Sequence, residues 1–150
     1  MNTDSETLQR QAWMATLAKS SADMLLEVWQ EAGLKPVFEW LRTPEIGAVM
    51  VRGAMGGTGA AFNLGEMTVT RCSLRLQDGV VGHAYVAGRD RKKAEISALC
   101  DALMQTDQAV VVREKILEPL KDATLAARTG TAQKAAATKV DFFTLVRGED

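Results

Sequence analysis

A glycine-rich stretch and three arginines are the residues of this chain whose types and spacing suit chemistry, and that chemistry is anion binding. Residues 53–59 read Gly-Ala-Met-Gly-Gly-Thr-Gly, and glycines allow successive backbone N–H groups to converge on an anion. The candidate anion-binding residues of this stretch are Gly56, Gly57, Thr58 and Gly59. No Gly-Lys-Ser/Thr follows, which excludes a P-loop, and a strand pattern follows in place of a helix, which excludes a dinucleotide fingerprint. A tight connection between strands is the ordinary alternative.

The three arginines are candidate clamps for a phosphorylated ligand. Arg71 and Arg75 lie on the same face of a predicted strand, because side chains two and four apart share a face. Arg89 precedes a predicted helix, and helix N-termini favour anions. Guanidinium groups bind phosphate through paired hydrogen bonds. The alternative is a solvated sheet face on which the arginines pair with nearby carboxylates.

The remaining chemically capable residues do not form a catalytic set. His83 is the single histidine, so a two-histidine metal site is impossible within one chain, and no partner stands at a suggestive spacing. Cys72 and Cys100 fall in core-facing patterns, without disulfide or zinc spacing. We therefore expect no metal site. This composition suits a binding or assembly subunit better than a self-sufficient enzyme.

Four strand patterns joined by short turns position the candidate arginines. Asp78-Gly79 lies between two alternating runs, which indicates a hairpin. Pro44 cannot donate to a sheet ladder, so residues 43–45 are predicted as a turn. No crossover helix separates the strands, which favours an antiparallel four-stranded meander. The predicted strands are Val37–Arg42, Ile46–Arg52, Glu66–Leu76 and Val80–Ala87.

Helical patterns flank this sheet on both sides and give an α+β fold with N-terminal and C-terminal helices packed on the meander. Thr3–Lys19 is the first predicted helix; the second begins at Ser20, in a capping box with Asp23, and ends at Gly33. Asp90 is the predicted N-cap of a helix over residues 91–105. Asp107 is the predicted cap of a further helix, which Pro119 ends or kinks.

The C-terminal region divides into a thin helix and an apolar tail. Residues 120–139 are rich in alanine, so burial of their own surface cannot hold the helix firmly. The tail carries an apolar cluster that needs a cover, which consists of Val140, Phe142, Phe143, Leu145 and Val146. We therefore predict a single α+β domain over 1–139 and a partner-docking tail over 140–150.

The overall charge and the apolar pattern limit the classes of partner. The formal net charge is −1, which does not favour nucleic acid or an anionic membrane. No apolar run approaches the ~20 residues of a membrane span, and the polar N-terminus lacks a secretory h-region. We expect a cytoplasmic protein without nucleic-acid or membrane partners.

Five segments together resemble the PhnG family, the G subunit of the carbon–phosphorus lyase core complex. They occur in family order and extend over most of the chain. The segments are RQAWMATLA, MGGTGAAFNLGEMTVTRCSLRL, VAGRDRKKAE, ALCDALMQ and KVDFFTLVRG.

The resemblance implies a role in phosphonate catabolism under phosphate limitation. The implied assembly contains two copies each of this chain and of the H, I and J subunits, with nucleotide-binding K and L subunits as further partners. The resemblance implies that this chain acts with the I, H and L subunits in a reaction in which methylphosphonate displaces adenine from ATP. The product is α-D-ribose 1-methylphosphonate 5-triphosphate. No cofactor is implied for this chain; an iron–sulfur cluster and S-adenosylmethionine belong to the J subunit.

Three roles for the chain remain open at this point. In the first, it is mainly a structural subunit of a transferase complex whose main active site lies in the I subunit. In the second, the glycine stretch and the arginines contact the triphosphate or the phosphonate directly. In the third, the chain is a stand-alone domain that binds a phosphorylated ligand.

Overall fold

Helices flank a three-stranded antiparallel sheet, which confirms the predicted α+β class. The computed structural model describes residues 3–54 and 61–148. In chain order the elements are α1 Thr3–Lys19, α2 Ala22–Ala32, β1 Phe38–Ala54, β2 Ala61–Leu76, β3 Val81–Ala87, α3 Arg91–Leu103, α4 Ala109–Val112, a π-helical segment Arg113–Leu117, and α5 Glu118–Gly148.

The predicted hairpin at residues 77–79 joins β2 to β3. Leu76 N–H donates to the carbonyl of Val80 at 2.8 Å. Gly79 adopts a positive φ of 94°, a backbone conformation that glycine accepts more readily than other residues. This turn fixes the register that pairs Ser73 with His83 and Arg71 with Tyr85. The sheet order is β1-β2-β3, so β2 is the central strand.

The prediction of four strands is wrong, because β1 is continuous through the expected turn at residues 43–45. Its partners on β2 run from Leu76, opposite Phe38, to Ala61, opposite Ala54. The pairing skips Thr43 and Pro44, and the register shifts between Arg42 and Glu45. Because β1 is an edge strand, this irregularity accommodates a proline without ending the strand.

The glycine stretch begins at the end of β1, and β2 begins at Ala61, before the predicted start at Glu66. Gly53 belongs to β1. The candidate anion-binding residues Gly56, Gly57, Thr58 and Gly59 lie outside the described residues.

Local capping groups define α2 and α3. The N-cap of α2 is Ser21, not the predicted Ser20: Ser21 Oγ accepts from Met24 N–H at 3.1 Å, whereas the Ser20 hydroxyl donates to the carbonyl of Leu17. Gly33 ends α2 with a φ of 68°, as predicted. Asp90 caps α3 by accepting from Lys93 N–H at 2.9 Å, which confirms that prediction.

Helix α3 lies directly against β3 and forms the centre of the core. A Cβ on Gly82 would lie 2.1 Å from the backbone oxygen of Ala98, so the close approach requires glycine at that position. The buried cluster combines the inner sheet face with α1, α2, α3 and the helical region that follows α3. Its largest fully buried apolar side chains are Leu17, Leu25, Leu74, Ile96, Ile116 and Leu120.

The last helical region differs from its prediction at the N-cap, and of the two predicted effects of Pro119, ending or kinking the helix, the first does not occur. Its N-cap is Gln108, without a side-chain hydrogen bond, so the predicted cap at Asp107 is wrong. Pro119 does not end the helix, because the π-helical segment comes directly before it. Glu118 N–H bonds the carbonyl of Arg113, five residues back, and this wider register accommodates a residue without an N–H.

Helix α5 continues from Glu118 to Gly148 without a break, a length of about 45 Å at ~1.5 Å per residue. Leu120 is buried in the core, but residues 131–136 are exposed on every face of the helix. The described part of the protein therefore leaves this stretch uncovered, as expected from its alanine-rich composition. Among the described residues, no helix is long and apolar enough to cross a membrane.

Candidate anion-binding surfaces

Arg71 and Arg75 project from the outer face of the sheet, the face opposite the helices. Arg71 Nε lies 3.6 Å from Glu45 Oε2 across the β1–β2 pair, and Arg75 Nε donates to Glu39 Oε1 at 2.8 Å. The prediction that both arginines share one strand face is confirmed. Each one has a carboxylate partner on β1, and Arg42 Nη1 also lies 4.0 Å from Glu45 Oε2, so two carboxylates serve three arginines.

Arg89 lies apart from Arg75. It follows the end of β3, whereas Arg75 lies opposite Val81 at the start of that strand. The six residue-to-residue steps from Val81 to Ala87 correspond to about 20 Å. The structure therefore does not bring Arg75 and Arg89 into one site, and the Asp90 carboxylate already occupies the N-terminus of α3.

A serine and a histidine form a pair on the same outer face. Ser73 Oγ lies 2.8 Å from His83 Nδ1, across the β2–β3 ladder, and both side chains are accessible. The pair was missed at the sequence level, although the hairpin turn at residues 77–79 determines this register. Within the described part of the chain, no carboxylate contacts the His83 ring, so the pair lacks the third group of a catalytic triad.

Asp101 forms a buried polar centre that the sequence analysis also missed. Its carboxylate is fully buried and accepts four hydrogen bonds. Arg10 donates twice, from Nε at 3.1 Å and Nη2 at 2.7 Å; Trp13 Nε1 donates at 2.8 Å and the backbone N–H of His83 at 2.9 Å. The hydrogen bond to Asp101 raises the pKa of Arg10. The centre joins α1, α3 and β3, so its role is structural.

The two cysteines are buried free thiols, as predicted. Burial raises the pKa of Cys72 to about 11, and the pKa of Cys100 is raised further for the same reason. Both thiols therefore stay protonated near neutral pH and are poor nucleophiles. The described residues contain no group of three or more histidine, cysteine or acidic side chains arranged to hold a metal ion.

A basic groove lies between α1 and the first half of α5, and sequence reasoning gave no sign of it. Its main cavity has a volume of about 300 Å³. Three cationic side chains line it, Lys19, Lys121 and Arg128, together with two threonines. A second cavity of about 250 Å³ adjoins it and shares Lys19 and Thr124. Only the packing of α1 on α5 brings these residues together.

Comparison with known proteins assigns the chain to a family. The family model for phosphonate metabolism protein PhnG matches residues 8–148. A protein of Rhizobium meliloti (strain 1021), named alpha-D-ribose 1-methylphosphonate 5-triphosphate synthase subunit PhnG, is 42% identical over 147 residues. The match covers 98% of this chain and 94% of that protein. This chain belongs to the PhnG family of phosphonate metabolism proteins.

Proposed function

We propose that this chain is a subunit of an α-D-ribose 1-methylphosphonate 5-triphosphate synthase and acts in phosphonate catabolism. The observation that carries the proposal is the 42% identity, over nearly the whole of both chains, to a protein with that name. Its role in the complex is mainly assembly. The buried free thiols fit a reducing cytoplasm, where we place the complex.

The reaction that we propose for the complex is displacement of adenine from ATP by methylphosphonate. The I subunit holds the main active site, with help from H and the nucleotide-binding L subunit. The H, I and J subunits join this chain in the core, in two copies each, and K associates with the assembly. The iron–sulfur cluster and S-adenosylmethionine belong to J, and this chain needs no cofactor.

Helix α5 supports an assembly role. Residues 131–136 are exposed on every side, and the backbone stays helical through Gly148. An isolated alanine-rich helix is only marginally stable in water, so a partner surface would stabilise it. On a helix, Phe142, Leu145 and Val146 share one face at the i, i+3, i+4 spacing, and Val140 and Phe143 form a second i, i+3 pair. This apolar cluster is the proposed docking surface for the I subunit.

Removal of the apolar cluster tests the assembly role. We expect deletion of residues 140–150 to abolish co-purification with the I subunit, with at least a tenfold loss. The variant with Phe142→Ser, Phe143→Ser and Val146→Ser keeps the helix length and is expected to lose binding similarly. The matched control, Lys139→Ser with Arg147→Ser, keeps the apolar cluster and should retain binding. Undiminished assembly after the deletion would contradict the proposed docking surface.

A second proposal gives the chain direct contacts to the triphosphate or the phosphonate through Arg71, Arg75, Arg89 and the loop residues 56–59. The exposed positions of the three arginines are compatible with it. It predicts that Arg71→Ala combined with Arg89→Ala gives an intact complex that no longer turns over ATP. A double variant that assembles and remains active would exclude these two side chains. The third possibility, a stand-alone ligand-binding domain, predicts a stable monomer that ignores the I subunit.

A further inference from the structure

The groove between α1 and α5 combines room, positive charge and free hydroxyl donors. Its larger cavity has a volume of about 300 Å³, at the lower end of the range of small-ligand sites, and the adjoining cavity has a volume of about 250 Å³. Ala12 and Ala15 line one side, so short side chains leave the floor open. The polar lining residues of the two cavities are Thr16, Lys19, Ser20, Ser21, Lys121, Thr124 and Arg128.

The cations of this groove have no partners among the described residues. Lys19, Lys121 and Arg128 make no hydrogen bond or ion pair with any residue that the structure describes. No described residue that lines either cavity carries a carboxylate. Like charges around one cavity repel each other over distances up to a Debye length, about 8–10 Å at ordinary ionic strength. A bound anion would remove this repulsion and satisfy the free donors.

The hydroxyl groups complete a site suited to oxyanions. Thr124 makes no hydrogen bond within the described part of the chain, so its hydroxyl is free to donate. Ser21 Oγ already accepts from Met24 N–H, which leaves its own proton available to a ligand. Two lysines, one arginine and two hydroxyls are donors that bind phosphoryl oxygens, the arginine through its planar fork.

We infer that this groove binds the polyphosphate portion of a phosphorylated ligand. Its two adjoining cavities share Lys19 and Thr124, which suits a chain of phosphoryl groups better than a single ion. The inference rests on the proposed function in one respect: the name of the relative specifies a compound with a 5-triphosphate. The groove is a binding site, and the reacting atoms lie elsewhere in the complex.

Residue-resolved chemical labelling tests this site in the assembled complex. Lysines are acetylated in short pulses, with and without inorganic tripolyphosphate, and the rate at each lysine is measured by mass spectrometry. We expect tripolyphosphate to slow acetylation of Lys19 and Lys121 at least fivefold and to leave Lys35 and Lys92 unchanged. Sulfate at matched ionic strength controls for screening. Equal slowing at all four lysines, or by sulfate, would overturn the inference.

Calorimetric titration of the full-length chain with tripolyphosphate gives a second readout. The variant with Lys19→Gln, Lys121→Gln and Arg128→Gln should lose at least tenfold in affinity. The matched variant with Lys35→Gln, Arg42→Gln and Lys92→Gln removes the same charge elsewhere and should stay within about twofold of the unmodified chain. Loss of equal size in both variants, or no binding by the unmodified chain, would overturn the site.

The two proposals fail in distinguishable ways. A complex that assembles without protection of Lys19 and Lys121 by tripolyphosphate refutes the groove and leaves the subunit role intact. If both lysines are already unreactive in the complex before tripolyphosphate is added, a partner segment covers the groove and the inference is wrong. A chain that binds tripolyphosphate through these residues but joins no partner refutes the subunit role alone.

Discussion

The outer sheet face and the α1–α5 groove both carry exposed cations, and they differ in the partners of those cations. On the sheet face, Arg71 lies beside Glu45 and Arg75 bonds Glu39. In the groove, Lys19, Lys121 and Arg128 have no carboxylate partner among the described residues. A ligand phosphate on the sheet face would compete with a carboxylate, whereas one in the groove would fill an unsatisfied position.

This difference separates two uses of positive charge. The sheet-face arginines neutralise acidic side chains on a neighbouring strand, and exposed pairs of this kind contribute about 0.2–1 kcal/mol each. The groove cations have no ion pair among the described residues, so their mutual repulsion is relieved most effectively when an anion or a partner binds there. Unpaired cations in a concave site are therefore the stronger indication of a ligand.

Arg10 is half-buried and pairs with the fully buried carboxylate of Asp101, and breaking this pair should have the largest effect on stability. We expect Asp101→Ala to lower the free energy of unfolding by about 3–5 kcal/mol, because the Arg10 guanidinium, the Trp13 indole N–H and a backbone N–H lose their acceptor. Urea unfolding followed by circular dichroism measures this change.

A smaller substitution at the same centre provides the control. Trp13→Phe removes one donor and keeps most of the apolar contact, so its expected cost is about 1 kcal/mol. A loss below about 1 kcal/mol for Asp101→Ala would mean that the carboxylate is not the link between α1, α3 and β3. The comparison of cations by how strongly their pairing stabilises the fold would then lack its strongest case.

Local patterns predicted the parts of this molecule that depend on neighbouring residues. Strand periodicity placed Arg71 and Arg75 on one face, and Asp78-Gly79 located the hairpin whose register also fixes the Ser73–His83 contact. Pro44 misled the strand prediction, because its tolerance depends on β1 being an edge strand, and strand order is not encoded locally.

The features that the sequence did not predict depend on contacts between residues far apart in the chain. Asp101 interrupts an apolar helical run, which is a visible sign of a buried polar group, but its partners Arg10 and Trp13 lie 91 and 88 residues away. The groove is similar, because Lys19 and Lys121 meet only when α5 packs on α1. Each lysine alone has the sequence signature of an ordinary solvated position. That the groove cations lack carboxylate partners among the described residues could therefore be recognised only from the fold.

The smallest predicted effect is that of substituting one groove cation, and it is a gain in stability, not a loss. At low salt, Lys121→Gln should raise the free energy of unfolding by a few tenths of a kcal/mol, about the size of a single exposed charge interaction, since it removes like-charge repulsion from Lys19 and Arg128. Thermal unfolding in about 20 mM and 500 mM salt measures it, and the gain should vanish at high salt.

With excess tripolyphosphate the sign should reverse, because a ligand that binds the folded chain stabilises it more the more tightly it binds, and Lys121→Gln weakens that binding. Lys35→Gln, the matched control on a surface away from the groove, should show neither the gain nor the reversal. If Lys121→Gln lowers the melting temperature equally with and without the ligand, Lys121 is already paired in solution. The distinction between the groove and the sheet face would then be incorrect, since both would use their cations to stabilise the fold.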